Sequence, residues 1–205
     1  MHLLSSILGQ VIGVGVIALI IVFQQEIRRF LLIISTRYIT KRGFSFEKFF
    51  SFGEKKESNV KIDSIVNACS NMSAFKMGAL IAISKRSDLL SFIRTGDIIN
   101  ADTSSRLLES IFFKNSPLHD GAVIIKKDRI AAARCILPAT ERMDLPPQFG
   151  MRHRAALGIA EKTDAVVIIV SEETGAISFA KHENIEQNIG PNRLRQILQT
   201  EFSAD

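Results

Sequence analysis

Three short polar segments hold residue types able to bind and activate a phosphorylated substrate. The first is Ser116-Pro117-Leu118-His119-Asp120-Gly121-Ala122. Its Asp-Gly pair suits a plain turn. Asp120 followed by two positions with little or no side chain also suits a carboxylate held beside backbone that a ligand must approach closely. The second segment is Gly150-Met151-Arg152-His153-Arg154-Ala155-Ala156-Leu157-Gly158, entering a helix. Two arginines and a histidine there gather cationic donors where the helix dipole already favours anions. Arginine forks match phosphate oxygens, so a phosphoryl substrate is more natural than a neutral one; the alternative is a solvated helix start. The third is Ser171-Glu172-Glu173-Thr174-Gly175. It reads as an acidic turn, or as carboxylate and hydroxyl ligands for a divalent metal and a phosphate.

Together the segments point to nucleotide chemistry: carboxylates for a cation, arginines for phosphates, small residues for close approach. Neither G-x-x-x-x-G-K-[ST] nor G-x-G-x-x-G occurs, which excludes the commonest phosphate loops. His119, Asp120, His153 and Glu172 also admit a metal-dependent hydrolase, but without a recognised zinc spacing such as HExxH.

Periodicity names the elements that must position these segments. Residues 59–75 place Ile62, Ile65, Val66, Cys69, Met72 and Phe75 at helical spacing. Gly78 to Ile83 reads as a buried strand, and Leu107 to Phe113 as a helix capped by Thr103, Ser104 or Ser105. Ala122–Ile125, Arg129–Leu137 and Ala165–Val170 are strands rich in β-branched residues, the first two joined by a hairpin turn at Lys126-Lys127-Asp128. Ala155–Lys162 is helical, and Asn192–Phe202 is a closing helix with Pro191 near its start. Strands interleaved with helices predict an α/β domain, a mixed β-sheet flanked by helices, over residues 59–205.

The N-terminus has a different character. No charged residue occurs from Leu3 to Phe23. Twenty-one helical residues at about 1.5 Å each span about 31 Å, the hydrocarbon thickness of a bilayer. One transmembrane helix over residues 1–23 is therefore expected, in preference to a buried core helix, because the run is apolar all round. Arg28, Arg29, Arg37, Lys41 and Arg42 follow, which by the positive-inside rule places the rest of the chain in the cytoplasm at the cell membrane. Residues 24–58 read as a juxtamembrane helix and a linker whose Phe44, Phe46, Phe49 and Phe50 touch lipid or the following domain.

Composition limits the alternatives. The chain has 205 residues, 46% hydrophobic and 23% charged, which excludes a disordered chain and allows one domain plus an attachment. Of the net charge of +5, residues 58–205 carry only +1, since residues 1–57 hold eight basic and four acidic side chains. A nearly neutral main domain argues against nucleic acid as a partner. Cys69 and Cys135 lie far apart in apolar stretches, with no zinc spacing, and read as buried thiols in a reducing compartment.

The same three segments resemble the DGA, RHR and SEETG motifs of the diadenylate cyclase (DAC) domain family. The likeness extends in order and spacing over roughly residues 60–185. The apolar run followed by Phe23-Gln24-Gln25-Glu26-Ile27-Arg28-Arg29 resembles the junction of membrane-bound CdaA-type members, which usually carry three membrane helices where this chain has one such run. The resemblance implies the DAC-domain fold and condensation of two ATP molecules into cyclic di-AMP, with release of two pyrophosphates. Each 3′-hydroxyl would attack the α-phosphate of the other ATP across a head-to-tail homodimer. It further implies that Asp120 helps to activate the hydroxyl and, with Glu172 and His119, holds Mg²⁺ or Mn²⁺. Arg152, His153 and Arg154 would contact phosphates as catalytic residues, and Ser171 and Glu172 would complete the shell. Gly121, Ala122 and Leu137 would receive the adenine. A membrane-anchored regulator and phosphoglucosamine mutase are partners associated with CdaA-type enzymes. One position departs from the pattern: the family usually has Thr before the RHR segment, where this chain has Met151. A thioether accepts hydrogen bonds weakly and donates none, so weakened phosphate binding is expected, and a non-catalytic nucleotide sensor on the same fold is the alternative.

Overall fold

The computed structural model describes residue 23 and residues 60–202. The expected membrane helix and the linker over 24–58 lie outside the described residues, apart from Phe23. Among the described residues, no helix is long and apolar enough to cross a membrane.

Among the described residues, five helices and seven strands follow in order: α1 (Ile62–Ala74), β1 (Ala79–Ser84), α2 (Leu90–Ile93), β2 (Asp97–Asp102), α3 (Ser105–Phe112), β3 (Ala122–Lys126), β4 (Arg129–Cys135), α4 (Met151–Lys162), β5 (Val166–Val170), β6 (Ile177–Lys181), β7 (Asn184–Glu186) and α5 (Pro191–Phe202). The strands form one mixed sheet in the order β2-β4-β3-β1-β5-β6-β7. β1 pairs parallel to β3 and antiparallel to β5, and the remaining pairs are antiparallel.

The central strands are almost wholly apolar because both their faces are covered. All six residues of β1 and all five of β5 are buried, the pattern of a sheet between two helical layers. Alternation sorts their side chains. Ile81, Ile83, Val123, Ile125, Val166 and Ile168 pack with Ile65, Met72, Leu108, Phe112, Leu194 and Leu198 of α1, α3 and α5. Leu80, Ala82, Ile124, Val167 and Ile169 turn to the opposite face, against Ala156, Ile159 and Ala160 of α4 and Ile93 of α2.

Local signals explain most boundaries. Ser104 caps α3, its Oγ accepting from the Leu107 amide at 3.3 Å. Two apolar residues expected to face the core do not: Phe75 caps the end of α1 and is exposed, and Phe113 follows α3 and is exposed too. Both lie just past the last helical turn, where the 3.6-residue period no longer applies. The hairpin turn narrows to Lys127-Asp128, Lys127 taking a left-handed φ of 59°.

Candidate active site

Strand directions bring distant segments to one edge of the sheet. β1 and β3 run together, so the residues before them, Gly78 and His119–Gly121, start from the same edge. β4 and β5 run the other way, so the residues after them, Ile136-Leu137 and Ser171–Gly175, end there. The N-terminus of α4 reaches the same place. A cleft of about 660 Å³ opens at this edge, on the α4 face of the sheet, within the size range of small-molecule sites.

The cleft is lined by His119, Asp120, Gly121, Leu137, Met151, Arg152, His153, Ser171 and Glu172, nine of the eleven residues that the sequence nominates. Ala122 and Arg154 are not among its lining residues. Ala122 is buried as the first residue of β3, opposite Cys135. Arg154 sits one residue further along α4, and its carbonyl accepts from the Thr140 amide at 3.0 Å.

At the DGA segment, Gly121 has φ of 132°, a conformation that side chains resist. A Cβ there would lie 2.8 Å from the Arg134 carbonyl carbon. Arg134 itself has φ of 55°, and the β3–β4 pairing shifts register beside it. This bulge turns the chain after Cys135, so that Ile136 and Leu137 line the cleft. The Cys135 thiol closes the floor; burial first, and the Asp97 charge second, push it up to about 11.

His119 Nδ1 lies 2.6 Å from the Ser116 carbonyl oxygen. A carbonyl only accepts, so Nδ1 is the nitrogen that donates there. In the third segment the Ser171 hydroxyl accepts from the Glu173 and Thr174 amides, each at 3.3 Å. The Gly175 amide donates to the Ser171 carbonyl at 2.9 Å and closes the loop.

Arg152 joins the second segment to the third. Its Nη1 donates to Glu172 Oε2 at 2.7 Å. The hydrogen bond and charge of Arg152 hold the Glu172 carboxyl below its ordinary value, aided by Lys114 and His119. No side chain caps α4, whose first residues line the cleft, so its dipole faces the cavity. His153 stacks on Phe149, ring centroids 4.8 Å apart, and burial lowers its pKa. Burial thus favours its neutral form.

Among the described residues, no group of three His, Cys, Asp or Glu side chains stands ready to hold a metal ion. His119, Asp120 and Glu172 nevertheless share the cleft. The two carboxylates suit an ion that takes its remaining ligands from water and substrate phosphates, as Mg²⁺ does, and the His119 imidazole is the softer donor of the three.

Sequence reasoning missed Gly78, Leu80, Ile136, Gln148 and Ile169 at or against the cleft. Leu80 and Ile169 are paired across β1 and β5, and only that register shows that both point to the α4 face.

Residues 66–185 match the family described as DisA bacterial checkpoint controller nucleotide-binding, DAC. The chain is 40% identical over 203 residues to "Cyclic di-AMP synthase CdaA" of Bacillus subtilis, covering 98% of this chain and 71% of that protein. It is 48% identical over 116 residues to "Diadenylate cyclase CdaS" of Bacillus thuringiensis, covering 57% and 58% of the two chains. The crystal structure of DacA from Staphylococcus aureus is similar with a TM-score of 0.67 and 38% identity, covering 69% of this chain and 94% of that one. A hypothetical membrane spanning protein from Bacillus cereus is similar with a TM-score of 0.62 and 36% identity, covering 83% and 79%.

Proposed function

Because the chain belongs to the DAC (diadenylate cyclase) family, we propose that it condenses two ATP molecules into cyclic di-AMP and releases two pyrophosphates. The observation that carries this reading is the convergence of Asp120, Arg152 and Glu172 on one cleft. In each half-reaction a ribose 3′-oxygen bonds to the α-phosphorus of the other ATP. The bond from that phosphorus to the bridging oxygen breaks, and pyrophosphate leaves. The hydroxyl proton passes to the Asp120 carboxylate and then to solvent.

Phosphoryl transfer of this kind is mostly positioning and charge neutralisation. Arg152 gives one Nη1 N–H to Glu172, which leaves four N–H groups of the guanidinium for phosphate oxygens. The N-terminus of α4 adds its dipole to the same oxygens. Ser171 and the neutral His153 supply hydrogen bonds without added charge. Leu80 and Ile169 form an apolar floor, and backbone groups near Gly121 and Leu137 receive the adenine. Mg²⁺ or Mn²⁺ bound by Asp120, with His119 and Glu172, would neutralise triphosphate charge.

Two bonds must form between two nucleotides, so two clefts must face each other in a homodimer. Ile136 and Met151 support this reading: both line the cleft and are exposed at 71% and 74%, apolar surface that a second copy would cover. The apolar run at residues 3–23 supports attachment to the cell membrane, with the catalytic domain on the cytoplasmic side.

Incubating the full chain with ATP and Mn²⁺ tests the proposal. Cyclic di-AMP with two pyrophosphates per product is expected. Bound but unchanged ATP would favour a nucleotide sensor, the alternative that Met151 raises. ADP, AMP or phosphate alone would indicate a hydrolase.

A further inference from the structure

Arg152 and Glu172 come from different elements, and both lean on the same short stretch of backbone between α1 and β1. Gly78, buried just ahead of β1, has no left-handed φ, so its backbone conformation does not require glycine. Space does. A Cβ at residue 78 would lie 2.6 Å from Arg152 Nη1, 3.0 Å from Arg152 Cζ and 3.0 Å from Glu172 Cβ. These atoms are the guanidinium end and the carboxylate stem of the pair itself. Adding a methyl group would move the guanidinium, the freer of the two, before it moved backbone.

Ser73, in the last turn of α1, holds the other partner. Its hydroxyl donates to the Gly175 carbonyl at 2.6 Å. Gly175, with φ of 80°, packs so tightly on this turn that a Cβ there would lie 2.5 Å from the Ser73 carbonyl oxygen. Because the Gly175 amide closes onto the Ser171 carbonyl, fixing Gly175 fixes the loop that carries Glu172. The stretch between the two anchors has a set path. Lys76 adopts φ of 49°, and the Met77 amide donates to the Met72 carbonyl at 2.8 Å.

We infer that the connector over residues 73–78 is the positioning element of the phosphate-facing pair: Gly78 leaves the space in which the Arg152 guanidinium lies, and Ser73 holds the loop that presents Glu172. Neither residue is among those lining the cleft, and both act through another side chain. The inference deepens the nucleotide reading above and rests on it for what the pair binds, not for how the pair is held.

The test uses the full chain and has an arm that needs no nucleotide. A crystal structure of Gly78→Ala is expected to show the Arg152 guanidinium displaced and its hydrogen bond to Glu172 lost. A guanidinium still within hydrogen-bond distance of Glu172 would overturn the inference. In the second arm, binding of a non-reacting ATP analogue is measured by calorimetry in a double-mutant cycle. Gly78→Ala should weaken binding about tenfold when Arg152 is present and less than about twofold in an Arg152→Ala background, the non-additivity of two groups acting as one. Equal losses in both backgrounds would overturn it. Ser73→Ala should weaken binding about fivefold, the effect of one lost hydrogen bond, and unchanged affinity would remove Ser73 from the assignment. A native protein that binds the analogue yet forms no cyclic di-AMP would defeat the cyclase reading and leave this one standing.

Discussion

Arg152 and Glu172 lie twenty positions apart in sequence and meet at 2.7 Å across the cleft, one from the first turn of α4 and the other from the loop after β5. Glu172 keeps a side-chain exposure of 65%, so the pair is worth at most about 1 kcal/mol to the fold. Its value to a charged transition state is larger. Arg152→Ala is expected to lower kcat/KM for ATP by about 10²–10³-fold, the scale for losing one preorganised charge stabiliser. The melting temperature should stay near that of the native protein. A large fall in both would show that the pair is structural.

Asp120 stands at the rim of the same cleft, with no helix or strand depending on its side chain. Asp120→Asn keeps the size and removes the base. Cyclic di-AMP formation should disappear while the circular dichroism spectrum and melting curve are retained. Measurable turnover in this variant would contradict the role given to Asp120.

Met151 occupies the first position of α4 and is 74% exposed, so replacing it disturbs no packing within the chain. Met151→Thr puts a hydroxyl in place of a thioether at the cleft. Activity should be preserved or rise by up to about tenfold, the range of one neutral hydrogen bond. A steep loss would mean that this site handles phosphate with a geometry of its own.

His153 titrates below the ordinary 6.5 because burial disfavours its charged form. The sign is fixed by that cause: the folded protein prefers the neutral ring, and protonating it on acidification opposes folding. Phe149 is the ring stacked against it. Phe149→Ala should admit water and move the His153 midpoint, followed by NMR, upward towards 6.5. A midpoint that stays low would shift the cause from burial to charge.

How much of this was legible beforehand depended on the kind of signal. The apolar runs of β1, β3 and β5 and the helical spacing of Ile65, Val66, Cys69 and Met72 declare themselves, because burial on one or both faces imposes a period. β2 does not: Asp-Ile-Ile-Asn-Ala-Asp is a largely exposed edge strand, and its Asn100 has φ of 47°. β6 and β7 passed unread beside it, as did α2, a single turn. α4 begins at Met151 and not Ala155, since the cationic segment is itself the first helical turn. The site residues were readable as chemistry, but Gly78 and Ser73 were not. Their importance lies in a missing methyl group and in a hydrogen bond to a residue 102 positions away.

At the far end of α5, Glu201 accepts from Lys85 at 3.0 Å and Lys181 at 2.6 Å, linking the helix to β6 and the end of β1. Burial opposes its charge, but the hydrogen bonds and charges of the two lysines prevail and hold its pKa below 4.5. A carboxyl depressed in the folded state adds stability above its unfolded pKa and loses it as pH falls through the folded one. Denaturant titrations should therefore show stability declining below about pH 4.5. Glu201→Gln should flatten that decline and cost about 1–3 kcal/mol at pH 7.

The strand directions have an engineering consequence. Every segment that faces the cleft leaves one edge of the sheet, whereas the Lys127-Asp128 turn, the Ser84–Ser87 bend and Asp164 belong to the other. Chemistry and permissive surface are thus separated by the length of the strands. The Lys127-Asp128 turn offers a place to splice in a reporter or an affinity handle, with turnover left intact.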